Sequence, residues 1–216
     1  GQLLLCMLAE GLMTIPGLRL IQVNTDGLTV RVPRDMKVLV DLARAAWQER
    51  TGLNLEEAIY KYMMIRDVNN YIARYEDGKV KRKGAYEYKL GWHQNAGGLV
   101  IPKVAEKVLV EDAPIRQTVE NWPDKLDFML RTKVPRNSYL KWGAQHVQNI
   151  SRYYIAKDGK PLIKFMPPLK GAYGDWRKIG IEAGWNVQVC NDLADATLPI
   201  NYDYYVKEVE ALCLGL

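Results

Sequence analysis

One carboxylate, Asp26, sits at the centre of an apolar, β-like run. Residues 18–32 read LRLIQVNTDGLTVRV, broken only by Asn24-Thr25-Asp26-Gly27. Asp-Gly between two β-rich runs is a strong hairpin signal. A carboxylate held on a tight turn suits a hard cation, which prefers rigidly placed oxygen ligands. Alone, the same segment also reads as a plain solvated turn. A second segment has cationic chemistry: Lys79-Val80-Lys81-Arg82-Lys83-Gly84 follows the turn Glu76-Asp77-Gly78. Side chains alternate on a strand, so Lys79, Lys81 and Lys83 share one face at about 6.6 Å spacing. That is close to the spacing of phosphates along one nucleic-acid strand. Gly84 admits close approach by another backbone, and Tyr71 on the partner strand is placed to stack or hydrogen-bond nearby. The bland reading of this hairpin is a solvated edge protected by lysine.

The elements that must hold these residues are legible from periodicity. Residues 2–13 are mostly apolar and read as a buried helix ended by Pro16-Gly17. The Asp26 hairpin follows, with strands at about 18–24 and 28–32, closed by Pro33. Residues 35–50 form an amphipathic helix with Met36, Leu39, Val40, Ala43 and Trp47 on one face, and Gly52 lies just past its end. Residues 55–65 are ambiguous between strand and helix. Residues 68–75 read as a strand that pairs with the basic strand. Pro102 opens a helix with Ile101, Val104, Ala105, Val108 and Leu109 on one face, and short helical pieces follow to about 130. Residues 149–156 and 160–166 look like a hairpin turning at Asp158-Gly159. Asn201 is a good N-cap for a last helix carrying Tyr205, Val209 and Leu212. The best internal boundary is Asn95-Ala96-Gly97-Gly98.

The chain has 216 residues, a net charge of +5 and 48% hydrophobic residues. These values suit one large or two small globular domains and hint at a polyanionic partner. Thirteen Tyr and six Trp against two Phe favour wet interfaces. Cys6, Cys190 and Cys213 are far apart and His93 and His146 are isolated, which argues against a zinc site or a disulfide framework and for a reducing compartment. Leu3–Leu8 is too short to span a bilayer and makes a poor signal peptide. Trp92-His93-Gln94-Asn95 reads as a structured loop. Arg131, Lys133, Arg136 and Arg152, with Tyr153-Tyr154 beside them, read equally as a nucleic-acid groove and as ordinary surface charge.

Taken in order, these segments resemble the C-terminal part of a family B DNA polymerase, most like those of tailed bacteriophages. Asn24-Thr25-Asp26 matches the family's Asp-Thr-Asp hairpin, and Asn69-Asn70-Tyr71-Ile72 partly matches its K-K-x-Y-like segment. Lys81-Arg82-Lys83-Gly84 matches K-x-K-G, and Asn201-Tyr202-Asp203-Tyr204-Tyr205 looks like its C-terminal Tyr-Tyr helix. The resemblance covers essentially the whole chain. It implies an α+β fold: antiparallel palm hairpins packed on helices over residues 1–95, then a mostly helical thumb with a small β hairpin over 96–216. It implies two-metal Mg2+ chemistry on primer–template DNA and deoxynucleoside triphosphates. Asp26 would ligate metal, with Asn24 beside it. Asn70, Tyr71, Lys81, Arg82, Lys83 and Gly84 would contact DNA, the lysines through phosphates without reading sequence.

The sequence departs from the family pattern at three places. Asn24 replaces an Asp and carries no charge, Asn69-Asn70 replace a lysine pair, and Gly27 stands where Ser is usual. The family's other metal-binding Asp and its nucleotide-binding Lys and Tyr have no match before residue 24. The expectation is therefore a palm–thumb piece of a longer enzyme in a (host) cytoplasm, partnered by the remaining N-terminal part and inactive in synthesis alone, without membrane association. A non-catalytic nucleic-acid-binding module, or a degenerate polymerase remnant, is the alternative. A small nuclease using Asp26 fails for want of a second acid in the hairpin.

Overall fold

Leu8, Leu12, Ile15 and Trp47 form the buried centre of the first half of the chain. Around them the computed structural model describes residues 2–91, 94, 97–168, 174–191 and 199–214. The fold is α+β, with antiparallel sheets packed against helices. It divides into two units, Gly1–Lys81 and Arg82–Leu216. The boundary read from the sequence lies at Asn95 and Ala96, which with the Trp92-His93 part of the neighbouring loop fall outside the described residues.

In the first unit, α1 (Gln2–Met13) and α2 (Lys37–Thr51) flank a hairpin of β1 (Arg19–Val23) and β2 (Leu28–Arg31). The apolar stripe of each helix and the inward residues Leu28 and Val30 of β2 close over the same cluster. Burying such a side chain contributes about 1.5–3 kcal/mol. The Trp47 indole N–H donates to the Leu4 carbonyl at 2.7 Å, tying α2 to α1. Gly52 ends α2 at φ 69°, the left-handed C′ position that its lack of a Cβ permits. The sequence reads α1 as a buried helix. Instead it buries one stripe, Leu5, Leu8, Ala9 and Leu12, and leaves Leu3 and Met13 mostly exposed. The ambiguous segment resolves as extended chain and then strand β3 (Tyr60–Asp67), which pairs with β4 (Asn70–Tyr75); β5 (Val80–Lys83) completes this sheet in the order β3-β4-β5. The break between the two units falls within β5.

The second unit holds α3 (Val100–Glu111), α4 (Ile115–Glu120) and α5 (Tyr202–Leu214). Asn201 caps α5 as expected, its side-chain oxygen accepting from the Asp203 N–H at 3.2 Å. Tyr86, Val104, Val119, Phe128, Tyr205 and Val209 are fully buried, and the Tyr86 hydroxyl donates to the Leu212 carbonyl at 2.9 Å. This half is richer in strand than a mostly helical thumb with one hairpin. One antiparallel sheet runs β12 (Val187–Val189), β9 (Ile150–Lys160), β6 (Leu130–Lys133). The other runs β11 (Arg177–Ile181), β10 (Leu162–Met166), β7 (Tyr139–Trp142), β8 (Gln145–Val147).

The hairpin expected at 149–156 and 160–166 does not form. Asp158-Gly159 does not turn but continues β9, and the chain changes sheet at Pro161, so that β9 pairs with β6 and β12 while β10 pairs with β7 and β11. A proline has no N–H for a ladder and suits such a break. Gly159 is instead a site of close approach: a Cβ there would lie 2.4 Å from the Val187 carbonyl oxygen. Among the described residues no helix is long and apolar enough to cross a membrane.

Candidate nucleic-acid interface

The Asp26 hairpin is shaped by an irregularity one turn earlier. The β1–β2 register runs Leu20↔Val30 and then Gln22↔Thr29, so one residue bulges at Ile21. A bulge re-aims the following side chain, and Gln22 turns inward to 7% exposure, a buried polar group following Leu20 and Ile21. Its amide N–H groups donate to the Asn24 side-chain oxygen at 3.2 Å and to the Val68 carbonyl at 3.0 Å. The Asn24 backbone N–H donates across the loop to the Gly27 carbonyl at 2.8 Å. The four-residue loop is thereby pinned to the turn between β3 and β4, 46 positions away between Gln22 and Val68.

Sequence reasoning misses Gln22. The signal is present: a polar residue in phase with Leu18 and Leu20 of the same run.

Asp26 lies exposed on this loop. Gly27 does not take a left-handed φ, and a Cβ there meets nothing within 4 Å. The Asp-Gly pair therefore does not act through a glycine-only conformation. Gly27→Ser is expected to leave the unfolding free energy within about 0.5 kcal/mol of wild type. Chemical denaturation monitored by tryptophan fluorescence checks this; a larger loss would mean that the loop needs glycine after all.

Asn70 closes the adjoining turn. Its side-chain N–H groups donate to both Asp67 carboxylate oxygens at 2.8 and 2.9 Å, and the Asn69 backbone N–H donates to the same carboxylate at 2.9 Å. The Asn70 side chain, then the Asn69 backbone, holds Asp67 below the usual carboxylate range. Tyr71 is 6% exposed and pairs across the sheet with Ile65, so its ring is part of the sheet's packing rather than an open stacking surface.

The basic strand is less uniform than its sequence. Lys79 is taken up by Asp77 at 2.8 Å. The Lys81 ammonium donates to the Tyr60 hydroxyl oxygen at 3.2 Å and lies 6.0 Å from the centre of the Tyr71 ring. The Tyr60 hydrogen bond holds Lys81 charged, raising it above the ordinary lysine value. Arg82 points the other way along the alternation and forms a two-pronged pair with Glu106, one prong at 2.6 Å, with Tyr88 stacked on its guanidinium. Both partners are largely shielded from solvent, so Arg82 is held by protein. Lys83 is exposed, and Gly84 at φ 63° turns the chain out of β5, a conformation that favours glycine. Tyr60 and Glu106, which orient Lys81 and Arg82, carry no sequence signal as partners because they lie 21 and 24 positions away.

In the second unit Arg131 lies directly opposite Arg152 in the β6–β9 register, and both are exposed, as is Lys133 on the same side of β6. Like charges at facing positions repel, and an anion between them would relieve this. The neighbouring tyrosines do not interleave at the surface. Tyr153 and Tyr154 are 3% and 2% exposed, and Tyr153 and Tyr204 donate to the Glu182 carboxylate at 3.0 and 2.8 Å.

Magnesium needs several oxygen ligands. The hairpin offers the Asp26 carboxylate, while the Asn24 oxygen already accepts from Gln22. Among the described residues there is no group of three His, Cys, Asp or Glu side chains that could hold a metal ion. These residues fit one corner of a metal site, not a complete one. No protein-family model matches this chain, and no curated protein matches it.

Proposed function

We propose that this chain is a palm–thumb portion of a template-directed DNA polymerase, in which the Asp26 loop, the Val68–Asn69 turn and the Lys81/Lys83 strand meet the primer end. The observation that supports this reading most is the Gln22 bridge. It ties the Asn24 side chain to Val68 and so sets side by side two segments that the family resemblance picks out independently. Lys81, kept charged by Tyr60, and exposed Lys83 supply phosphate contacts. The facing Arg131 and Arg152 supply a further cationic contact for phosphate on the thumb portion. Asp26 contributes one carboxylate to a metal site that needs further ligands, so catalysis belongs to the intact enzyme with Mg2+ and nucleoside triphosphates.

A second reading, a nucleic-acid-binding module without catalysis, is favoured by Asn24. That residue brings no charge to the loop and spends its carbonyl on Gln22.

The test is crosslinking from a primer carrying a photoreactive thymine analogue at its 3′ end. Adducts in the peptides holding residues 22–31 and 67–83 are expected. Adducts confined to other peptides would overturn the placement of the primer end.

A further inference from the structure

The sheet β11-β10-β7-β8 has one face turned inward and one bearing a cationic aromatic cluster. Leu140 and Leu162 are buried on the inner side. On the other, Tyr139 stacks on Phe165 across the β7–β10 pair, ring centres 4.8 Å apart and planes 5° from parallel. The His146 and Trp176 rings flank Tyr139 at 5.0 and 5.1 Å, and Trp176 is 42% exposed. The Lys141 ammonium lies 5.6 Å from the Phe165 ring centre and 6.0 Å from that of Tyr139; the Lys178 ammonium lies 5.9 Å from Phe165. Among the described residues neither lysine is in an ion pair.

We infer that this face binds single-stranded nucleic acid, bases packing against Trp176 and the Tyr139–Phe165 stack while Lys141 and Lys178 hold phosphates. Each element answers a need of that ligand. Unpaired bases have apolar faces that stack on aromatic rings whatever their sequence, and their backbone needs cations at intervals. A protein or peptide partner would need some complement to two uncompensated ammoniums, and a chain of phosphates supplies it throughout its length. A duplex keeps its bases stacked on one another, so the exposed aromatic members would gain nothing from it. The inference stands on this sheet alone and does not require the polymerase reading.

The test uses the full chain and labelled oligo(dT) and oligo(U) of about 12 nucleotides, followed by fluorescence anisotropy, with a duplex of equal length for comparison. In the Lys81→Ala/Lys83→Ala variant, which removes the proposed duplex grip, both single strands are expected to bind more tightly than the duplex. Trp176→Ala is expected to weaken single-strand binding about ten-fold or more, as removal of one stacking partner does. A Lys141→Gln/Lys178→Gln double variant should show a salt slope shallower by about 1.4, from about 0.7 for each phosphate no longer neutralised. A Lys141→Arg/Lys178→Arg variant should retain binding. Wild-type affinity in both the Trp176 and the Gln variants would overturn the inference, as would absence of single-strand binding at low salt. The Lys81→Ala/Lys83→Ala variant separates the two readings: it should lose primer–template affinity and keep oligo(dT) affinity. Loss of oligo(dT) binding in that variant alone would assign the strand to the basic hairpin and overturn the sheet site.

Discussion

Gly159→Ala is expected to destabilise the second unit by about 2–3 kcal/mol, the upper part of the usual range for overpacking. The added Cβ would sit 2.4 Å from the Val187 carbonyl oxygen, 2.6 Å from its carbon and 2.9 Å from its nitrogen. All three are backbone atoms, so no side chain can swing aside. Val187 is itself fully buried, pairs with Ile155, and its carbonyl accepts the Trp142 indole N–H at 2.8 Å. Moving it apart from Gly159 would break that link between the two sheets. Thermal unfolding followed by circular dichroism would show the loss as a lowered midpoint. An unchanged midpoint would mean that β9 and β12 do not approach so closely.

Tyr205→Phe is expected to cost about 2–4 kcal/mol, although it removes a single oxygen. The Tyr205 hydroxyl donates to the Phe128 carbonyl at 2.7 Å and accepts from the Ile155 N–H at 3.1 Å. Phenylalanine keeps the edge-to-face contact with Phe128, whose ring centre is 4.9 Å away, and so isolates the polar loss. Two backbone groups are then left in the core without partners, at about 1–3 kcal/mol each. Burial pushes the Tyr205 hydroxyl well above the ordinary tyrosine value, so it stays protonated and the donor bond persists through neutral and mildly alkaline pH. Urea titration of the two proteins measures the difference. A loss below about 1 kcal/mol would show that neighbouring groups or water take over both bonds.

Helices and the first hairpin are legible in the sequence because their signals are local. The period of Val40, Ala43 and Trp47, the Gly52 stop and the Asn201 cap all act within a few residues. The second unit is harder to read. Asp158-Gly159 carries a turn signal, but the Val187 backbone packed against Gly159 decides otherwise, and nothing near residue 159 announces a strand so far along the chain. The same distinction governs the candidate site. The positions of Asp26, Lys81 and Lys83 follow from hairpin geometry. The pinning of the Asn24 loop by Gln22 and the capture of Arg82 by Glu106 depend on partners distant in sequence. Tyr71 reads as available to DNA because a strand residue has two possible faces, and the sheet buries the one it occupies.

Whether the basic strand grips primer–template DNA is read from binding of a primer–template duplex across salt concentrations. Wild type is compared with the Lys81→Ala/Lys83→Ala variant. Wild-type affinity should fall steeply with salt. The variant's slope should be shallower by about 1.8, from about 0.9 for each phosphate no longer neutralised. Identical slopes for the two proteins, or no duplex binding by the wild type at low salt, would contradict that grip.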